Sequence, residues 1–189
     1  MTHEQKDAIQ YVNNKAKLIK LILEHKDQIF DYPPANLENK IEIENVEADI
    51  KNGWLSFRIK VKASADPNGS VLVDQKISLW GFGKFGLKDL IIELSGLTQE
   101  QKEGRQYVND HSKLVKLIFE KKDQIFETNG YYNLTDEKQI QITSNVRDFT
   151  SGELSFRIKV KDSADPNASV LIDNKDVWLA GFERSRFGR

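Results

Sequence analysis

The sequence has no cysteine. That excludes disulfides, thiolate metal sites and thiol nucleophiles, and it leaves the redox compartment unread. Long apolar runs are missing as well: nothing approaches the roughly 18 to 20 residues of a membrane-spanning helix, and the opening THEQKDAIQ has no apolar centre of the kind a signal peptide carries. There is no excess of one charge, since 28 basic residues meet 29 acidic ones for a net charge of −1. Without a bulk field, nucleic acid is not expected as a partner, and any electrostatic role must be local. Histidine is scarce and unshared: His3, His25 and His111 face Gln99, Lys121 and Lys15 once the chain is aligned with itself, as described next. No serine nucleophile elbow, HExxH helix or Walker loop occurs. These absences point away from an enzyme and predict no cofactor and no metal.

What the chain does have is a repeat. Leu55–Lys62 and Leu154–Lys161 both read LSFRIKVK. Leu55, Phe57, Ile59 and Val61 alternate with Ser56, Arg58, Lys60 and Lys62, the period of a strand with one buried and one wet face. Around it, Tyr11–Phe30 matches Tyr107–Phe126 at 14 of 20 positions and Leu55–Lys76 matches Leu154–Lys175 at 18 of 22. Self-similarity of this kind marks two copies of one module, with the boundary at residues 96/97. Leu97 aligns with Met1, and the second copy stops after Phe187-Gly188-Arg189 while the first runs on past Phe85-Gly86 into LKDLIIEL, which reads as helical. The chain is therefore expected to be a piece cut from a longer array.

Each copy opens with a capping-box pattern, Thr2 to Gln5 and Thr98 to Gln101. Ala8, Ile9, Val12, Ala16, Ile19, Ile22 and Leu23 follow at helical spacing and predict one long helix whose apolar stripe covers a sheet, with Leu18 and Leu21 off that stripe. Asp31-Tyr32-Pro33-Pro34 ends it in the first copy. Residues 40–50 and 139–149 read as strands, with a bulge near Asn45 where the alternation slips. Asn52-Gly53 and Ser151-Gly152 then turn the chain into LSFRIKVK as a hairpin. This register places Glu42, Glu44 and Glu47 opposite Arg58, Lys60 and Lys62.

The loop KASADPNGSVLVDQK recurs as KDSADPNASVLIDNK. It predicts an Asp-Pro-Asn turn, with Val71 and Val73 tucked into the core. Closing strands at 77–82 and 177–182 both end in Gly-Phe. Gly81-Phe82-Gly83-Lys84-Phe85-Gly86 fits the GxGxxG phosphate-binding spacing, yet hairpin-connected strands precede it and the second copy, Gly181-Phe182-Glu183-Arg184-Ser185-Arg186, loses the central glycine. It is read as a turn.

The predicted fold class is thus α+β: two tandem modules, residues 1–96 and 97–189, each with one long helix packed on a small antiparallel sheet. The surface retained by both copies supplies the candidate site: Arg58, Lys60, Lys62, Asp66 and Asn68 with Arg157, Lys159, Lys161, Asp165 and Asn167.

The order of helix, strand, glycine turn, LSFRIKVK-like alternation, long loop and closing Leu-x-Gly-Phe resembles the lipoprotein-associated domain found in tandem in mycoplasma and ureaplasma surface lipoproteins. Gly53–Val61 and Leu79–Phe82 carry the resemblance in the first copy, and Gly152–Val160 and Leu179–Phe182 in the second. It implies a non-catalytic extracellular module, tethered through a lipidated cysteine outside these residues; the chain is separately expected to be a monomer. The role it implies is adhesion to a host surface protein or matrix polymer, or spacing. A small-ligand domain with an apolar pocket between helix and sheet is the alternative reading.

Overall fold

The structure is a computed structural model that describes residues 1–184; the Phe187-Gly188-Arg189 end and the Ser185-Arg186 part of the glycine comparison lie outside the described residues. The chain forms two compact units, Met1–Gly83 and a second beginning at Lys84. The sequence repeat restarts at Leu97, thirteen residues after the second unit does, because the intervening residues pair with strands of that unit.

The first unit holds a 3-10 turn at Glu4–Lys6 and three short helices: α1 (Ile9–Val12), α2 (Lys15–Glu24) and α3 (Lys26–Ile29). Its strands β1 (Ile41–Asp49), β2 (Trp54–Lys62) and β3 (Val71–Trp80) form an antiparallel sheet in the order β1-β2-β3. The second unit starts with β4 (Phe85–Leu87) and β5 (Ile91–Glu93), followed by α4 (His111–Glu120), α5 (Lys122–Ile125) and β6 (Phe126–Thr128). Then come β7 (Ile140–Ile142), β8 (Arg147–Phe149), β9 (Glu153–Lys161) and β10 (Val170–Ala180). β5-β10-β9-β7 lie in one sheet, β8 also pairs with β9, and β4 pairs with β6.

This corrects the predicted fold class. Among the described residues strand makes up 34 % and helix 24 %, in three sheets with short helices, and no single long helix packs on a small sheet. The reason lies in short polar side chains that compete for backbone hydrogen bonds. Both capping boxes form: the Gln5 amide donates to Thr2 Oγ1 at 3.3 Å and the Thr2 amide to Gln5 Oε1 at 2.9 Å, with the same pair at Thr98 and Gln101. In the first unit they start only a 3-10 turn, after which Asp7 is extended. Helix begins afresh where Asn14 accepts from the Lys17 amide at 3.0 Å, and in the second unit where Asp110 accepts from Lys113 at 3.1 Å. The breaks also move the buried face: Leu18, Leu21 and Ile22 are buried on α2 while Ala16 is exposed, and Leu114, Leu117 and Ile118 are buried on α4.

The hairpin reading holds. Gly53 (φ 72°) and Gly152 (φ 88°) make the turns, and the register of β1 on β2 shifts between Glu44 and Glu47 around Asn45, whose φ is 53°. In the second unit, however, residues 139–149 yield two short strands instead of one. Leu87–Leu94 is not helical, since β5 pairs in parallel with β10, Trp178–Ala180 opposite Ile91–Glu93. The GxGxxG stretch leads into β4, which pairs antiparallel with β6.

Both cores are built on the repeated strand: Leu55, Phe57, Ile59 and Val61 are fully buried, as are Leu154, Phe156, Ile158 and Val160. The closing Gly-Phe has a physical role in each unit. The Phe82 and Phe182 amides donate to the carbonyls of Gly53 and Gly152, at 3.1 and 3.2 Å. Their rings meet Tyr11 and Tyr107 edge-on at 6.1 and 5.8 Å. The hydroxyl of Tyr107 donates to Gln101 O at 3.1 Å, and burial, followed by the charges of Glu120 and Glu100, pushes its pKa up to about 12.

Candidate functional site

The repeated basic row lies on the solvent face of β2 and of β9. Exposed Arg58 grips Asp74 with two bonds, Nε to Oδ1 at 2.7 Å and Nη2 to Oδ2 at 3.0 Å. Lys60 lies 3.7 Å from Glu44, and Lys62 lies 2.8 Å from Glu42. The predicted cross-strand pairing is therefore met at Glu42 and Glu44, while Arg58 takes its acid from β3. These partners hold the Asp74 and Glu42 carboxyls below the usual carboxylate range and raise Arg58, chiefly through the side-chain hydrogen bonds between them.

The second unit repeats the bases and changes the acids. Gln141 stands opposite Lys159, where Glu42 stands opposite Lys60, and Thr143 takes the place of Glu44. Arg157 Nε donates to Asp176 Oδ1 at 3.0 Å and Lys159 lies 4.0 Å from Asp173, both acids on β10. One residue, Asn174 (φ 49°), is inserted at the register shift in β10, and it moves the arginine's partner from the Asp74-like position to Asp176.

The Asp-Pro-Asn loop is the same structure twice. Asp66 Oδ1 accepts from the Asn68 amide at 2.9 Å and Asp165 Oδ1 from Asn167 at 2.8 Å. Lys62 Nζ donates to Pro67 O at 2.8 Å and Lys161 Nζ to Pro166 O at 2.7 Å. Asp66, Asn68, Asp165 and Asn167 thus fold the loop with their own atoms, and Lys62 and Lys161 brace it from the strand. Each loop is closed by an Ala63–Ser70 or Asp162–Ser169 backbone bond, so the strands that follow begin at Val71 and Val170, earlier than predicted. Val71 is not tucked in: it is 52 % exposed, and Leu72 60 %.

One cleft adjoins these features and a second lies elsewhere in the second unit. The first, of about 500 Å³, is lined by Asn45, Glu47, Arg58, Asp74, Gln75 and Lys76. The other, of about 670 Å³, includes Arg105, Arg147, Asp148 and Phe149. Both are open and charged, unlike the apolar pocket of the alternative reading. The second cleft escaped the sequence reading. Asp148 stands opposite Leu154 just as Ala48 stands opposite Leu55, and a β-carbon on Gly104 would come 2.9 Å from Asp148 Oδ1. The matching positions of the first unit hold Ala8, which is buried, and Ala48. Burial pushes the Asp148 carboxyl up, against the pull of Arg105. The signal was a paired change, Ala/Ala to Gly/Asp, visible only once structural register replaces sequence offset.

Among the described residues, no three His, Asp or Glu side chains are grouped to hold a metal ion, and no helix is long and apolar enough to cross a membrane. Compared with family models, curated proteins and solved structures, the chain finds no match in any of the three.

Proposed function

We propose that the chain is a non-catalytic tandem module of a surface lipoprotein, held outside the cell by an anchor beyond these residues, that contacts a host surface protein or an anionic matrix polymer through its two basic rows. One observation supports this reading: each copy carries the same basic row on the solvent face of its central strand, with the Lys62–Pro67 bond repeated as Lys161–Pro166. Arg58, Lys60, Arg157 and Lys159 lie on the wet face of their strands and serve no core, which leaves them placed for contact with a partner. The second unit's row, facing Gln141 and Thr143, carries the larger share of uncompensated positive charge and should be the stronger contact.

Two weak contacts on one repetitive surface act together, and linking them raises apparent affinity by roughly 10² to 10⁴ where spacing allows. The test uses the whole chain on sulfated matrix polymers and on host cells, at low and high salt. Arg157→Glu with Lys159→Glu should weaken binding more than Arg58→Glu with Lys60→Glu, and all four together should abolish it. Binding untouched by the fourfold change would rule out the basic rows as the contact. No binding to any surface tried would favour a spacer.

A further inference from the structure

We propose that the free edge of β3 is a docking edge for an extended segment of another polypeptide, added as a parallel strand in the place that β5 takes on β10. The inference concerns a surface other than the basic rows, and its test does not pass through them.

The second unit shows what such an occupant looks like. The Trp178 amide donates to Leu90 O at 3.1 Å, and Ala180 O accepts from the Leu94 amide at 2.9 Å. Ile92 and Leu94, both 5 % exposed, close the core beside Val177 (1 %) and Leu179 (0 %). On β3, Ser78 stands opposite Ser56 as Trp178 stands opposite Ser155, and Trp80 opposite Trp54 as Ala180 opposite Glu153. The same backbone positions therefore turn their N–H and C=O groups away from the central strand. Yet β3 ends its sheet among the described residues. Ile77 and Leu79 are only half-buried, and Trp80 is 66 % exposed.

Two further observations match. Gly181 (φ +109°) is required where the backbone of Leu94 passes, because a β-carbon there would stand 2.6 Å from Leu94 O. Gly81 keeps the same geometry (φ +97°), but its nearest neighbour is the end of the flexible Met1 side chain, 3.0 Å from such a β-carbon. The site on β3 is thus shaped for a passing strand, and what half-covers it can swing aside. An unpaired strand edge flanked by incompletely buried apolar side chains is the template that strand addition uses. The chemistry it selects is an extended segment with apolar side chains at two alternate positions, as Ile92 and Leu94 are spaced.

The probe is a synthetic peptide of residues 84–96, KFGLKDLIIELSG, titrated into the whole chain by calorimetry, with hydrogen exchange to locate it. The expected result is saturable binding at one site, with exchange slowed at the Ser78 and Trp80 amides. A peptide carrying Ile92→Asp and Leu94→Asp should bind at least about tenfold more weakly. Ser78→Pro in the chain should fold, because that N–H points away from β2, and should abolish binding. If it does not fold, the substituted peptide still decides. No binding, undiminished binding by the substituted peptide, or protection at Trp178 and Ala180 instead would overturn the proposal. So would a concentration-dependent dimer abolished by Ser78→Pro, which would make a second copy the occupant.

Discussion

β3 and β10 descend from the same stretch of sequence and end in different surroundings. VLVDQK and VLIDNK open strands of equal role, yet Leu72 is 60 % exposed while Leu171 is 8 % exposed, and Leu79 is half-buried while Leu179 is completely buried. The inner strands β2 and β9 show no such divergence: their apolar faces are equally sealed. The lesson is about position within a sheet. A central strand is covered by its own unit on both sides, so its sequence alone decides its burial, whereas an edge strand's burial depends on what lies next to it.

The largest expected effect tests the part of the comparison that is equal. Phe57→Ala and Phe156→Ala should each cost about 3 to 5 kcal/mol, followed by hydrogen exchange unit by unit in the whole chain. A marked difference between them would mean that the two central strands are not equivalent after all.

The edge strands should respond unequally. Leu179→Ala, in a sealed site, should cost about 2 to 5 kcal/mol and Leu79→Ala clearly less, since part of its surface already meets water. Equal costs would show β3 to be covered in solution.

Next comes the exchanged pair at the second cleft. Gly104→Ala alone should destabilise by about 1 to 3 kcal/mol through crowding against Asp148, and adding Asp148→Ala should recover most of that loss by restoring the first unit's arrangement. The carboxyl also predicts a pH effect. Its pKa is higher in the folded state than in the unfolded one, so the fold binds the proton more tightly. Its contribution is complete below the ordinary value of 3.8 and is lost as pH rises through the folded value. Asp148→Asn should therefore flatten the fall in stability above that value; an unchanged pH profile would contradict it.

The smallest effect is expected on the wet face. Arg58→Ala and Arg157→Ala should leave stability close to unchanged and salt-insensitive at high ionic strength, because exposed ion pairs are screened. A large loss in a denaturant titration would mean that Arg58–Asp74 holds β3 in place.

What was legible in the sequence follows the same division. LSFRIKVK, its hairpin glycines and the bulge at Asn45 could be read because alternation and turn chemistry are local. The long helix was misread because Asn14 and Asp110 sit inside an apolar period that outvoted them, although each is a good N-cap. The loop residues Asp66 and Asn68 were legible as a turn, and their repetition as Asp165 and Asn167 is what marks them as a candidate contact surface. The pairing of Ile91–Glu93 with β10 could not be seen from one copy, since contacts between distant segments leave no local period. The alternation of Leu90, Ile92 and Leu94 was nonetheless a strand signal, submerged in an apolar run.

The parallel pairing of β5 with β10 also sets how the second unit answers tension. A pull transmitted along the chain enters β5 at its N-terminal end and leaves β10 at its C-terminal end, which are opposite ends of the paired segment. The three paired positions, Trp178–Ala180 with Ile91–Glu93, are then loaded together in shear instead of parting one after another. β3 has no partner of this kind among the described residues. In single-molecule stretching the first unit should therefore yield at the lower force.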